Sequence, residues 1–134
     1  MKTSTDYPPN YQLIKGFFPD LEAFDPIFCY GETIYNPFGR EITPDLVAHE
    51  TVHSKQQGHD PEAWWTRYGI DPAFRLSQEI PAYHAQYEVI KRNSRDREFL
   101  AWYLFQLAKS MSSSLYGNMV SQSEALGLIR KGVV

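Results

Sequence analysis

The chain has 134 residues, a length that fits one compact domain and leaves little room for a second. Hydrophobic residues make up 43% of it and aromatic residues 15%, which is enough for a core in which Tyr, Phe and Trp do much of the packing. The net charge of −3 argues against a surface for nucleic acid, and the single cysteine, Cys29, excludes an internal disulfide and a cysteine-rich zinc site.

The N-terminal segment is polar and ends in Pro8-Pro9, which predicts a flexible or extended arm over residues 1–10 and a single domain over residues 11–134. No apolar run has the form of a signal peptide or the length of a membrane-spanning helix. We therefore expect a cytoplasmic protein that has neither membranes nor nucleic acids among its partners.

A β-hairpin is predicted after the arm. Residues 27–30 and 33–35 are rich in β-branched and aromatic side chains, and Gly31-Glu32 lies between them. Pro37 follows the second segment, and strands flanked by proline tend to lie at sheet edges. Residues 33–35 are therefore expected to form an edge strand, and Cys29, among apolar neighbours, to be buried and inert.

Helical patterns fill the rest of the chain, so the fold class is a mainly helical α+β domain with a small antiparallel sheet beside its first long helix. That helix begins at Thr43-Pro44-Asp45 and ends near Gly58. Its apolar residues Leu46, Val47 and Val52 are expected to dock it on the core. Later helices are predicted over residues 61–68, over 71–90 with a kink or break at Pro81, over 99–109 as a buried helix, and over 121–130, where Ser121 and Glu124 form a capping box.

The first long helix contains His49-Glu50-Thr51-Val52-His53. Residues four apart lie one above the other on a helix, so the imidazoles of His49 and His53 can reach one metal ion. Glu50 is rotated by about 100° from His49, which keeps it from being a ligand but lets it contact a water on the metal. The pattern predicts two zinc ligands and a general base, whereas the alternative is a pair of surface histidines that bind nothing.

This segment resembles the active-site signature of the zincin metallopeptidases. Val47 matches the residue usual before the motif, and Lys55 departs from the apolar residue usual after it. The resemblance implies a minimal metallopeptidase domain, of a size found in bacteria and phages. It also implies that zinc-bound water attacks the peptide bond with Glu50 as general base. In zincins an edge strand beside the helix pairs with the substrate, so the resemblance implies that residues 33–35 contact a peptide or protein.

A catalytic zinc usually has three protein ligands, and three residues are candidates for the third: His59, Glu79 and His84. We favour Glu79, because its segment resembles the E-x-x-A arrangement of gluzincins. His59 would suit the metzincin pattern, but that pattern requires a glycine where this chain has Gln56. Tyr83 and His84 follow Glu79 on the same predicted helix and are candidates for stabilising the oxyanion.

Two other functions use the same residues. A phage-type assembly or binding protein would retain the zinc as a structural staple without hydrolysing anything. An iron oxygenase would bind its metal through two histidines and one carboxylate. The glutamate directly after the first histidine favours the zinc peptidase.

Overall fold

The computed structural model describes residues 1–133 and shows the mainly helical α+β fold that the sequence predicts. The strands are β1 (Lys2–Ser4), β2 (Phe28–Tyr30) and β3 (Thr33–Tyr35), and the helices are α1 (Tyr11–Phe17), α2 (Pro44–Gln57), α3 (Pro61–Ile70), α4 (Pro72–Asn93), α5 (Arg97–Met111) and α6 (Gln122–Lys131). Two 3-10 turns, Leu21–Phe24 and Ser114–Tyr116, lie in the connections. Among these described residues, no helix combines the length and the apolar character needed to cross a membrane.

The sheet has the strand order β1-β3-β2. β2 and β3 form the predicted antiparallel hairpin, with Cys29 opposite Ile34. β1 pairs in parallel with the other side of β3, with Thr3 opposite Ile34, so part of the predicted N-terminal arm is an extended, paired strand. The prediction that residues 33–35 form an edge strand is wrong, because β1 occupies the edge that the hairpin alone would leave open. β2 is the strand that contacts α2.

Two apolar clusters form the core. The first joins α4, α5 and α6 through Ile80, Tyr83, Tyr87, Leu104, Leu107, Ala108, Met111, Ala125 and Ile129. The second joins α1, β2 and α3 through Ile14, Phe18, Leu21, Phe28, Trp64, Trp65 and Tyr68. Tyr116 packs against both clusters, so the turn Ser114–Tyr116 lies where the two meet.

α2 begins and ends where the sequence predicts. Thr43 occupies the N-cap position, and Gly58, at φ +59° and ψ −126°, ends the helix in a conformation that glycine adopts without strain. The docking face is not the predicted one, since the apolar residues Leu46, Val47 and Val52 are only half-buried. The buried positions of α2 are Asp45, His49, Glu50, His53 and Gln57.

This buried polar face is the unusual feature of α2. Burying a polar side chain costs free energy unless it finds a partner, so helices normally bury their apolar face instead. The polar face of α2 packs mainly on α4, and the partners that α4 supplies must account for its burial.

The later helices follow the prediction with two differences. α4 runs without a break through Pro81, because buried Ile80 and Ala82 hold the helix on either side of the one hydrogen bond that proline removes. α5 is buried on one face only: Phe99, Trp102 and Phe105 are 40%, 57% and 47% exposed. The capping box of Ser121 and Glu124 at the start of α6 is confirmed.

Gly69 in α3 has no room for a side chain, because a Cβ atom there would lie 2.1 Å from Cδ2 of Phe17. Gly69→Ala is expected to displace that ring and to lower the free energy of unfolding by about 1–3 kcal/mol, the usual range for overpacking. The matched control is Gly127→Ala, also in a helix, where nothing lies within 4 Å of the new methyl group. The control should raise the free energy of unfolding by about 0.5–1 kcal/mol. Urea denaturation measures both, and equal effects would contradict the packing of α1 on α3.

Candidate metal centre

The three predicted ligands come together between α2 and α4. Nε2 of His49 and Nε2 of His53 are 3.2 Å apart, and each lies 3.2 Å from Oε1 of Glu79. All three side chains are buried, Glu79 to 2% exposure. Within residues 1–133 this is the one group of histidine, cysteine or acidic side chains found in an arrangement that can hold a metal ion.

The spacing of these three atoms suits a tetrahedral metal. Ligand atoms about 2.0–2.1 Å from a tetrahedral zinc lie about 3.3–3.4 Å from one another. The three separations of 3.2 Å are close to that value. Three protein ligands leave the fourth vertex free, as in catalytic zinc sites rather than structural ones.

Two glutamines fix the orientation of the imidazoles. Nδ1 of His49 lies 2.9 Å from Oε1 of Gln86. Nδ1 of His53 lies 2.8 Å from Oε1 of Gln56. An amide oxygen only accepts hydrogen bonds, so each Nδ1 carries the hydrogen and donates it. Both Nε2 atoms are then left with a lone pair directed at the third ligand, which is the form of histidine that binds a metal.

The orientation of the two glutamine amides follows from their other partners. Nε2 of Gln56 donates to the backbone carbonyl of Gln78 at 3.0 Å, and a carbonyl cannot donate in return. Nε2 of Gln86 faces Asp45 at 3.4 Å and the Tyr103 hydroxyl at 3.2 Å, and Tyr103 in turn donates to Asp45. Reversing either amide would place its oxygen against another acceptor, the Gln78 carbonyl or the Asp45 carboxylate. The partners of the imidazoles are thus fixed by a second layer of contacts.

The carboxylate of Glu79 is divided between two tasks. Its Oε2 accepts a hydrogen bond from the Tyr68 hydroxyl of α3, while Oε1 faces both imidazoles. Tyr68 is itself held by stacking on Trp64, with ring centroids 4.7 Å apart. Glu79 is therefore oriented to offer one oxygen to a metal, and α3 takes part in the site through Tyr68.

The pKa shifts of His53 and Glu79 indicate that a positive charge stabilises this cluster. Burial alone would lower the pKa of His53, but the charge of Glu79 and its hydrogen bond outweigh burial and raise that pKa to about 9. The pKa of Glu79 is lowered by the two histidines against the raising effect of its own burial. In the absence of a metal, a proton on His53 takes the place of the cation. Two lone pairs and a carboxylate oxygen 3.2 Å apart repel one another unless such a charge lies between them.

Glu50 stands beside the ligands and lines two cavities. The smaller, of about 70 Å³, is walled mainly by aromatic and aliphatic side chains of the second apolar cluster. The larger, of about 650 Å³, lies between the segment that precedes α2 and the helix α5. Both cavities are lined by Pro26, Ile27, His49, Glu50, Leu115 and Tyr116. They therefore adjoin at the candidate metal centre.

The pKa of the Glu50 carboxyl is raised because the group is buried, and the nearby positive charges, that of Arg40 included, offset only part of this effect. Glu50 is outside the group of three ligand residues, as the helical rotation from His49 predicts. A carboxyl group with a raised pKa next to a metal site and a cavity is a candidate general base.

Tyr83, predicted as a donor to the oxyanion, lies near the site but its hydroxyl is engaged elsewhere. Its ring packs edge-on against His49, with centroids 4.5 Å apart. Its hydroxyl lies 2.9 Å from Oγ of Ser110 and 2.7 Å from the hydroxyl of Tyr116. Tyr83 lines only the larger cavity, whereas Tyr116 lines both. Tyr116 is the better-placed hydroxyl, and the sequence analysis did not select it.

His84 and His59 do not reach the site. Nδ1 of His84 lies 2.8 Å from the carbonyl oxygen of Ile129 in α6, because one step along a helix turns the side chain by about 100° away from Tyr83. The prediction of a catalytic role for His84 is therefore corrected. His59 is exposed just beyond α2 and does not belong to the ligand group, so the metzincin alternative lacks its third ligand.

The sequence analysis also missed the residues that hold the ligands. Gln86 had a usable signal, since it follows Glu79 by seven residues and therefore lies on the same face of α4, two turns later. Gln56 had a weaker one, three residues after His53 on α2. Tyr68 belongs to a different helix, and no spacing in the sequence relates it to the motif.

Glu79→Ala is expected to lower the affinity for zinc by more than about 100-fold, which exceeds the usual effect of losing a residue that only orients a ligand. The matched control is His59→Ala, which removes an exposed histidine outside the group and should leave the affinity unchanged. Competition with a chromophoric zinc indicator measures both affinities. A larger effect of His59→Ala would contradict the assignment of the third ligand.

Comparisons with models of known protein families, with curated proteins and with solved structures find no match to this chain.

Proposed function

We propose that this protein is a zinc-dependent metallopeptidase that hydrolyses a peptide bond of a peptide or protein substrate. One observation carries the proposal: two imidazole nitrogens and one carboxylate oxygen meet at 3.2 Å, next to a second carboxylate that lines a cavity instead of joining them. An iron oxygenase needs the three ligands but has no use for a base at Glu50. The presence of that base favours hydrolysis.

His49, His53 and Glu79 would hold the zinc ion, which would supply a Lewis acid for the scissile carbonyl and for the attacking water. Glu50 supplies the proton transfers. It accepts a proton from the attacking water, whose oxygen bonds to the carbonyl carbon, and it delivers that proton to the nitrogen as the C–N bond breaks. The raised pKa of Glu50 suits a group that must take up and release a proton in every cycle.

The zincin resemblance implies that the substrate pairs with residues 33–35, but β3 is the central strand of the described sheet. The open edge beside α2 belongs to β2 instead. The Cys29 carbonyl of β2 already accepts hydrogen bonds from Nε2 of Gln57 at 2.7 Å and from Nε1 of Trp65 at 3.0 Å. Both of its lone pairs are then used. The substrate therefore lies along the larger cavity and passes residues 26–27 to reach Glu50. The smaller, mainly apolar cavity, which adjoins the larger one at Glu50, accepts an apolar side chain of the substrate.

Tyr116 is the group that stabilises the carbonyl oxygen as it becomes negative. Ser110 can donate to Tyr83 and Tyr83 to Tyr116, which leaves the Tyr116 proton free to be donated into the cavities. Burial raises the pKa of the Tyr116 hydroxyl, so it stays protonated and able to donate. A hydrogen bond from a fixed, buried donor to a developing charge is among the larger contributions to catalysis.

Glu50→Gln tests the reaction directly. The variant should abolish hydrolysis, because the amide cannot take up the proton, while the fold and the zinc content stay as in the wild type. Mass spectrometry of a peptide mixture measures cleavage, and elemental analysis for zinc and iron measures the metal.

The control is Glu88→Gln, which removes one carboxylate of α4 near His84 and away from both cavities and should leave cleavage unchanged. A zinc-loaded wild type that cleaves no peptide in the mixture would support a structural staple instead. Iron in place of zinc in the protein as purified would support the oxygenase.

Tyr116→Phe is expected to lower kcat by about 100-fold, within the range found when one oxyanion donor is removed, with little change in KM or zinc content. Tyr30→Phe is the control, because the Tyr30 hydroxyl bonds Glu62 and lines neither cavity. Steady-state kinetics on a peptide cleaved by the wild type separate the two parameters. A rise in KM at constant kcat would show that Tyr116 only helps to bind the substrate.

A further inference from the structure

We propose that Arg40 binds a carboxylate of the substrate, so that the enzyme selects peptides with an acidic side chain close to the scissile bond. This inference rests on the proposed peptidase function and names the substrate class of the same site. It comes from the position of Arg40, from the way its loop is held and from the charges around it.

Arg40 belongs to the segment between β3 and α2, and it lines the larger cavity together with His49 and Glu50. The side chain of Asn36 holds its backbone from both sides. The Arg40 N–H donates to Oδ1 of Asn36 at 2.9 Å, and Nδ2 of Asn36 donates to the Arg40 carbonyl at 2.7 Å. The loop that carries the guanidinium is therefore fixed at the cavity wall.

The guanidinium of Arg40 takes part in none of the salt bridges found in the described part of the chain. The acidic group of α2 that shares the cavity, Asp45, already accepts hydrogen bonds from Tyr103 and Gln86. A second cation, Lys109 at the end of α5, also lines the cavity. Glu41 and Glu50 also line the cavity, but the salt bridges found in the described residues pair neither of them with Arg40 or Lys109. The guanidinium therefore stays available to a ligand.

The ligand that this charge fits best is a carboxylate. A guanidinium presents paired N–H groups that match the two oxygens of a carboxylate, and such bidentate, charge-assisted bonds are among the stronger polar contacts. Because Arg40 and Glu50 line the same cavity, the acidic group lies within a short distance of the bond that is cut. A carboxylate near the scissile bond comes either from an acidic side chain or from a free C-terminus. The cavity, of about 650 Å³, is lined both by the segment that precedes α2 and by residues of α5, which leaves room for an internal segment of a chain and favours the side chain.

Hydroxamates test the inference without hydrolysis, because they bind a zinc ion directly. The probes are the monohydroxamates of succinic, glutaric and adipic acid, each paired with the compound in which the carboxylate is replaced by a primary amide. Zinc-loaded wild type should bind the best carboxylate of the series at least about tenfold more tightly than its amide, the effect expected of one charge-assisted pair. Arg40→Gln should remove that preference and leave the amides within about twofold. Isothermal titration calorimetry measures the affinities.

The matched control is Arg95→Gln, which removes the same charge from the exposed corner between α4 and α5. It should keep the preference of the wild type, which shows that net charge is not the cause. If the wild type binds the carboxylate and amide hydroxamates with equal affinity, the role of Arg40 is overturned, whereas the zinc site is still supported. Binding of neither compound to zinc-loaded protein overturns the proposed function together with the inference.

Paired peptides separate the two sources of carboxylate. A peptide cleaved by the wild type is compared with versions in which the acidic residue near the cut is changed from Glu to Gln, each with a free and with an amidated C-terminus. The Glu peptide should be cleaved about tenfold faster than the Gln peptide, whether the C-terminus is free or amidated. Arg40→Gln should abolish this difference in rate. A preference that follows the free C-terminus instead would overturn the assignment to an acidic side chain.

Discussion

The structure depends on the burial of three acceptor atoms at the joint between α2 and α4. His49, His53 and Glu79 present two lone pairs and a carboxylate oxygen to one another at 3.2 Å, in a place that water does not reach freely. Such atoms repel unless a positive charge lies among them. The polar contacts around the joint, from glutamines, a tyrosine and an aspartate, keep these atoms facing the same point. The buried face of α2 is polar because it is the wall of this site and not because it is a poor core helix.

α4 serves the core and the site with different sides of one helix. Ile80 and Tyr87 belong to the apolar cluster shared with α5 and α6, while Glu79 and Gln86 face α2. Because the apolar side is buried, the helix cannot rotate without exposing it, and the polar side is held in position by the same packing. One rigid helix, α4, therefore positions both the ligand residue Glu79 and Gln86, which orients His49. This arrangement gives the centre its precision without a disulfide or a long loop.

Local patterns in the sequence predicted the elements that depend on local chemistry. The limits of α2, the hairpin of β2 and β3, the capping box of α6 and the pairing of His49 with His53 follow from spacings within a helix or turn. Glu79, on another helix, was selected by a resemblance and not by such a spacing. Partners that come from distant parts of the chain were not predictable in this way. β1 pairs with β3 across about thirty residues, a separation at which no pairing rule in the sequence selects one partner strand. Tyr68 and Tyr116 reach the site only because the two apolar clusters meet there.

The docking face of α2 shows why patterns can mislead at a functional site. Its apolar residues predict one orientation, and the structure adopts another in which the ionisable residues face inward. Burial of apolar side chains does not account for the observed orientation of α2. The hydrogen bonds and other contacts of its buried polar residues must therefore stabilise it. In α2 the apolar residues are spread around the helix and are only half-buried, while the ionisable residues of the motif face inward. This departure from the usual pattern of burial is itself evidence for the site.

The cluster of His49, His53 and Glu79 also links the fold to pH. The pKa of His53 in the folded protein, about 9, lies above the value of about 6.5 for an unfolded histidine. The metal-free protein therefore gains stability from the protonated His53 beside Glu79 in full below about pH 6.5, and loses it as the pH rises through about 9. A metal bound at neutral pH must displace that proton, so its apparent affinity rises with pH until the proton has left. A proton on His53 and a metal ion bound at this site would therefore have the same effect, since each places a positive charge between the two imidazoles and Glu79.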